Sequence, residues 1–319
     1  MQTRSYTSRL FYALVLMLPL LVHAAPQVMV SIKPVHSLIA GVMAGIGLPE
    51  LLLRNGRSPH HFSLTASDVR KLTRAERVYW IGEPLELPLA KILRATVSES
   101  RVVTLLSLPD LQLLPLREGV QWERHAFHEQ GEQHDKPVEK GISPAQVNPH
   151  VWLSPINAAL IVRMAVEDLS HIDPENSSAY RRNGATLLMR LQELDRQIGE
   201  QLAGVRDVPF IVFHDAYAYF EHHYQLNAVG SVTLSPERMP GAQHIQQLRN
   251  RIKSLNARCV FSEPQFEPKL VATLLEDTQA RAGRLDPLGA SLPLGPDAYF
   301  TMMSDLAEAL AGCLGGDGK

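Results

Sequence analysis

The sequence predicts an α/β protein of two lobes, each with a four-stranded parallel sheet flanked by helices, joined by one long rigid helix. Three observations predict it. Short β-branched runs alternate with helical patterns in two separate blocks, the arrangement that right-handed βαβ units and parallel sheets require. Between the blocks, residues 174–204 read as one helix. The chain has 319 residues, 45% of them hydrophobic, enough to fill two cores of ordinary size.

Taken in order, the chain opens on Arg4 and Arg9, then the apolar run "LFYALVLMLPLLV", then small Ala24 and Ala25. A basic start, an apolar stretch and small residues at the cut make residues 1–24 a signal peptide, cleaved near Ala24. As an uncleaved anchor the run is short against the roughly 20 apolar residues a membrane span needs. The first lobe, residues 25–173, then pairs "QVMVSI" (strand) with "PVHSLIAGVMAGI" (helix), "ELLLR" with "SDVRKLTRAE", and "RVYWIG" with "PLAKILRATV", before a fourth strand, "VVTLLS". The alternation breaks at 109–149, a loop long enough to suggest function or disorder. A helix follows from Pro155 to His171.

The linker helix, 174–204, has Asp173 as its N-cap, Pro174 at its first position and Leu187, Leu188, Leu191, Leu194 and Ile198 at helical spacing. At 1.5 Å per residue it is about 45 Å long, with Gly184 its one weak point. The second lobe, 205–319, pairs "PFIVF" with "AYAYFEHHY", "NAVGSV" with "GAQHIQQLRNRIKSL", "RCVFS" with "PKLVATLLEDTQA", and "GRLDP" with "DAYFTMMSDLAEALAGCL". Ligands of such sheets bind beyond the carboxyl ends of the strands, so the natural site is the crevice between the lobes.

The charge and cysteine content narrow the function. A net charge of −2 gives no sign of nucleic-acid binding. The only cysteines, Cys259 and Cys313, form one disulfide in an oxidising compartment or stay as two buried thiols. The chain is expected to be exported and to act as a monomer.

Four residues fall where the crevice should be. His60, in "GRSPHHFSLTASD", follows the second strand; His150, in "NPHVWLSP", follows the fourth strand and the long loop. His214, in "FIVFHDAY", ends the first strand of the second lobe, and Asp286, in "RLDPLG", ends its fourth. Three imidazoles and a carboxylate converging there suit a tetrahedral Zn²⁺. Asp215 is the better cap for the helix after His214, and His61 should point away from His60.

In "SIKPVHSLIAGVM", "SPHHFSLTASDVRKL", the acidic and His-containing loop ending in "NPHVWLSP", "FHDAYAYFEHHY" and "LDPLG", the chain resembles the periplasmic zinc-binding receptors of high-affinity zinc ABC importers, within the cluster 9 (A-I) metal-receptor family. The resemblance covers nearly the whole mature chain. It implies two α/β lobes joined by a rigid helix, zinc held between them, and delivery to the ABC transporter membrane permease and, through it, its ATPase. It also implies the periplasm as location and the Cys259–Cys313 disulfide. Carried over residue by residue, the ligands are His60, His150 and His214, with Asp286 near the fourth position. Pro59 stands where some zinc receptors have a glutamate, which leaves the fourth position to Asp286 or to water. The loop departs too: His125, His128 and His134 are spread among Glu123, Glu129, Glu132 and Asp135. They form either a weak secondary metal site or a solvated excursion.

Two alternatives remain open at this level. Manganese and iron receptors of the same family resemble this chain but carry a carboxylate where His214 stands, and three nitrogens favour zinc over manganese. A secreted zinc hydrolase would need a general base. Glu221 and Glu263 are conceivable, but the chain has no HExxH, and His222 and His223 read as surface residues. The expectation is a carrier and not an enzyme. Because histidine must be neutral to coordinate, zinc affinity is expected to fall below about pH 6.5, and the long helix is expected to limit domain closure.

Overall fold

The computed structural model describes residues 25–54, 56–117, 119, 122, 146–233, 241–266 and 269–316. The signal-peptide reading and the loop histidines His125, His128 and His134 lie outside the described residues.

Two four-stranded parallel sheets form as the alternation requires. In the first, β1 (Val28–Val30), β2 (Glu50–Leu51), β3 (Arg77–Trp80) and β4 (Val102–Thr104) lie in the order β2-β1-β3-β4. In the second, β5 (Phe210–Val212), β6 (Ala228–Ser231), β7 (Cys259–Ser262) and β8 (Arg281–Arg284) repeat that order as β6-β5-β7-β8. Strands buried on both faces need no alternation, which is why β1 and β5, and β3 after Arg77, read as continuous apolar runs.

The helices start where their caps dictate. In the first lobe α1 (Lys33–Val42), α2 (Ala66–Arg74) and α3 (Leu87–Thr96) cover the sheet. Thr65 and Asp68 close a reciprocal capping box on α2. Ser154 caps α4 (Pro155–Ile172), with Pro155 at its first position. The joining helix α5 (Ser177–Leu202) is extended by 3-10 turns at Pro174–Asn176 and Ala203–Val205. Asp173 is the N-cap of the first 3-10 turn, but its side chain caps no backbone N–H: the carboxylate accepts from Tyr180 Oη at 2.7 Å and Asn176 Nδ2 at 2.8 Å.

In the second lobe the helices are α6 (Ala218–Tyr224), α7 (Ala242–Ser254), α8 (Lys269–Leu275) and α9 (Ala298–Leu314). Two elements of this lobe end three or more residues short of the sequence reading. The helix expected to run to Ala280 stops at Leu275, because Asp277 takes a left-handed φ of 57° and the Thr278 N–H turns back to the Leu275 carbonyl. The strand expected over 283–287 is β8, ending at Arg284, so Asp286 lies in the loop beyond it.

One apolar core runs through both lobes. It contains Val30 and Ile39 of the first, Leu187, Leu191 and Ile198 of α5, and Phe210, Tyr299 and Met302 of the second. A smaller core, including Ile211, Val229, Leu248, Val260 and Leu274, fills the far face of the second sheet. The last helix, α9, reaches back to the first lobe: the Tyr299 N–H donates to Ser37 Oγ, and its hydroxyl donates to the Trp152 carbonyl, both at 2.9 Å. The Cys259–Cys313 disulfide ties β7 to α9.

Candidate metal centre

In each sheet the chain order reverses beside the first strand, and such a switch point leaves a crevice at the strands' carboxyl ends. In the second lobe that point lies between β5 and β7. His214 and Glu263 emerge just past these two strands, which places them side by side: His214 Nδ1 donates to Glu263 Oε1 at 2.7 Å, with both side chains buried. From the first lobe come His60, in the turn before α2, and His150, in the turn leading into α4.

The three imidazoles meet. His150 Nε2 lies 3.3 Å from His60 Nε2 and 3.3 Å from His214 Nε2, and the ring centroids are 5.1–5.6 Å apart. Among the described residues they are the group whose ligand atoms all lie within 4.8 Å of one another. His61, by contrast, is exposed.

The far side of two rings fixes which nitrogen carries the proton. Glu263 offers His214 Nδ1 only acceptor atoms in its ionised form, so Nδ1 keeps the hydrogen and Nε2 presents its lone pair. For His150 the acceptor is Asn148 Oδ1, 2.8 Å from Nδ1 and 3.1 Å from the His150 backbone nitrogen. Asn148 cannot flip, because its Nδ2 donates to the Asp215 carbonyl at 2.7 Å. Two lone pairs therefore converge on a third imidazole in a space of about 10 Å³, lined also by Pro59, Trp152, Glu263, Gln265, Phe266, Pro287 and Leu288. Burial, reinforced by the facing His214 ring, pushes His60 down to about 3. Burial together with His214 and His60 holds His150 well below the usual imidazole range. The geometry thus resists a proton and supplies neutral nitrogen donors, the state a transition-metal cation requires.

Asp286 stands apart from this group. Its Oδ1 accepts from Gln265 Nε2 at 3.2 Å and from the Leu288 N–H at 3.1 Å, and its Oδ2 accepts from the Ala290 N–H at 2.6 Å. The loop that carries it turns the carboxylate onto its own backbone. Asp215 also departs from its expected role as helix cap: its carboxylate accepts from Arg117 Nε at 2.9 Å, while Arg117 Nη1 reaches Glu221 Oε2 at 2.7 Å. Glu221, once conceivable as a base, is thereby committed to a buried ion pair, and His223 lies on Asp195 of α5. The roots of the long loop are pinned beside the site, with Leu116 N–H on the Gln146 carbonyl and Asn148 N–H on the Leu114 carbonyl. Asn148, Gln265 and the orienting role of Glu263 were not identified from the sequence. Nothing in spacing or composition marks them, since Asn148 acts through the conformation of its own loop and Glu263 and Gln265 act across neighbouring loops beyond the strand ends.

The sequence matches the family described as zinc-uptake complex component A, periplasmic (ZnuA), over residues 28–313. The high-affinity zinc uptake system protein ZnuA of Brucella abortus (strain 2308) is 40% identical over 308 residues, covering 90% of this chain and 91% of that protein. The protein of the same name from Yersinia pestis is 34% identical over 294 residues, covering 91% and 92%. A solved structure described as a crystal structure of ZnuA aligns with a TM-score of 0.73 at 24% identity, covering 91% of this chain and 99% of that one, a likeness of fold.

Proposed function

The chain belongs to the family of periplasmic zinc-uptake components A (ZnuA), and from that premise we propose that it captures Zn²⁺ on His60, His150 and His214 for delivery to the permease of an ABC importer and, through it, its ATPase. The observation that carries the ligand assignment is the convergence of three Nε2 atoms, two of them with the opposite nitrogen fixed as a hydrogen donor. Lone pairs aimed at one another in a buried space repel unless a cation sits between them. The all-nitrogen set favours zinc over manganese, which prefers oxygen.

The proposal extends to the organisation of the chain. Residues 1–24 are a signal peptide removed on export, residues 25–173 and 205–319 are the lobes, and 174–204 links them. The receptor works as a monomer and catalyses no reaction, its chemistry being binding and release. The segment with His125, His128 and His134 supplies a second, weaker zinc site.

The test is competitive zinc titration of chelated protein against a chromophoric chelator. Wild type is expected to bind one ion tightly, and alanine at any one of the three histidines is expected to weaken that event strongly. Deleting 123–135 is expected to remove only a low-affinity event. Tight binding that survives replacement of all three histidines would overturn the assignment.

A further inference from the structure

Gln265 sits in the crevice and has had no role so far. Its Nε2 donates to Asp286 Oδ1. Because a carboxylate oxygen only accepts, this contact decides the amide's orientation: the nitrogen faces Asp286, and Oε1 points away from it. Asp286 is in turn held by the N–H groups of Leu288 and Ala290, so the chain of contacts runs from loop backbone to carboxylate to amide. Among the described residues Gln265 Oε1 is buried and has no hydrogen-bond partner, while the residue lines the same small cavity as the three histidines. A buried carbonyl oxygen left unpaired calls for an explanation. Here the cavity it borders is the place where an ion would bring one.

We propose that Gln265 positions the fourth ligand of the bound ion: Oε1 accepts a hydrogen bond from a water on the zinc, and Asp286 acts through Gln265 instead of coordinating. The inference rests on the three-histidine reading above. Three nitrogens leave one tetrahedral position open. A water there is a stronger donor than bulk water, because the cation draws electron density from its oxygen. A neutral acceptor satisfies that donor without adding an anionic ligand, so the four ligands stay uncharged and the negative charge is held behind them, on Glu263 one contact beyond His214 and on Asp286 beyond Gln265. The same arrangement explains why the Asp286 carboxylate can be spent on backbone amides.

The experiment compares wild type with Gln265→Met, Asp286→Ala and the double variant, each chelated and then titrated with zinc in competition. Methionine keeps the length of the side chain and removes the acceptor, leaving the Asp286 loop in place. Zinc X-ray absorption and the visible spectrum of the Co²⁺-loaded proteins report the inner shell. Each single variant is expected to lose about tenfold in affinity, ~1.4 kcal/mol. The double variant is expected to lose no more than either alone, since the two residues form one chain of contacts. The Co²⁺ spectrum is expected to keep its tetrahedral form in all of them. Losses that add, a Co²⁺ spectrum that changes with Asp286→Ala alone, or a Gln265→Met protein that binds as wild type would each overturn the proposal. Failure of wild type to bind, or full binding by a His150→Ala control, would instead sink the three-histidine reading on which it rests.

Discussion

Replacing Glu263 by glutamine tests the site through a residue that touches no metal. The His214 Nδ1–Glu263 Oε1 bond is 2.7 Å long, and the two side chains are 6% and 1% exposed, so solvent cannot substitute for it. A hydrogen bond to a charged group contributes ~1.5–3 kcal/mol, and loss of a carboxylate behind a metal-binding histidine costs about 10–100-fold in affinity. Glutamine keeps an acceptor oxygen but also offers an NH₂ that can donate to Nδ1. That donation would move the ring proton to Nε2 and turn the lone pair away from the ion, so the expected loss for Glu263→Gln lies toward the upper end, ~100-fold. Competitive zinc titration measures the affinity, and ¹⁵N NMR of the imidazoles in the chelated protein reports the tautomer. A change below about threefold, ~0.6 kcal/mol, with the His214 tautomer unaltered, would refute the argument that Glu263 sets the donor atom.

Three further outcomes follow from the same geometry and packing. His60 is depressed to about 3 and His150 well below the ordinary 6.5, so as pH falls below 6.5 the unfolded chain binds protons that the folded chain refuses, down to about 3 for His60. Stability of the metal-free protein should therefore fall as pH drops through that window, by ~1.4 kcal/mol per pH unit for each such proton. Proton competition for zinc should begin well below the pH 6.5 expected from an ordinary imidazole; acid denaturation and zinc titrations between pH 4 and 7 check both. Reducing Cys259–Cys313, which closes a sequence separation of 54, should cost ~4 kcal/mol by chain entropy, read as a lowered Tm with reductant. Gly184→Ala should destabilise by ~1–3 kcal/mol from overpacking, although alanine is the better helix former, because the new Cβ would lie 2.3 Å from Val166 Cγ2. Urea denaturation decides the sign.

Gly184 also shows what the sequence could and could not convey. The period of leucines marked α5 correctly, and on propensity alone the glycine reads as a flaw. Its reason is the close approach of α4, which no local pattern records. The strands were legible because β-branched runs buried on both faces look the same in any parallel sheet. The ends of α8 and β8 were not, since a single left-handed residue, Asp277, sets one and pairing with β7 sets the other. The three histidines were legible as residues that fall after strands and in recognisable motifs. Asp286 was placed by the same logic, yet the direction of its carboxylate depends on the amides of Leu288 and Ala290, a matter of loop conformation. Gln265 and Asn148 were silent for the same reason, because their function lies in which atom faces which neighbour.

The shared core also bears on how an ion could leave. Separating the lobes would withdraw Trp152 and Tyr299, both 0% exposed, from their surroundings. At 25 cal/mol per Å² the 150–250 Å² buried by each residue sets an upper bound of roughly 4–6 kcal/mol apiece. It would also strip Lys33 of three carbonyls of the second lobe, those of Gly289, Ala290 and Leu292, each 2.7–2.8 Å away. Among the described residues, displacing the short segment that carries Gln265 and Phe266 breaks less: the Gln265–Asp286 contact, the Phe266 N–H bond to the Glu263 carbonyl at 3.2 Å, the stacking of Phe266 on Phe213 at 4.7 Å and its edge contact with His214 at 6.1 Å. The cheaper route to the ion is therefore local. The long helix was expected to restrain the lobes by its stiffness. The structure adds a restraint from its buried face, because Tyr180, Leu187, Leu191, Leu194 and Ile198 of α5 are packed on the core that both lobes share, and a rod so anchored makes a poor hinge.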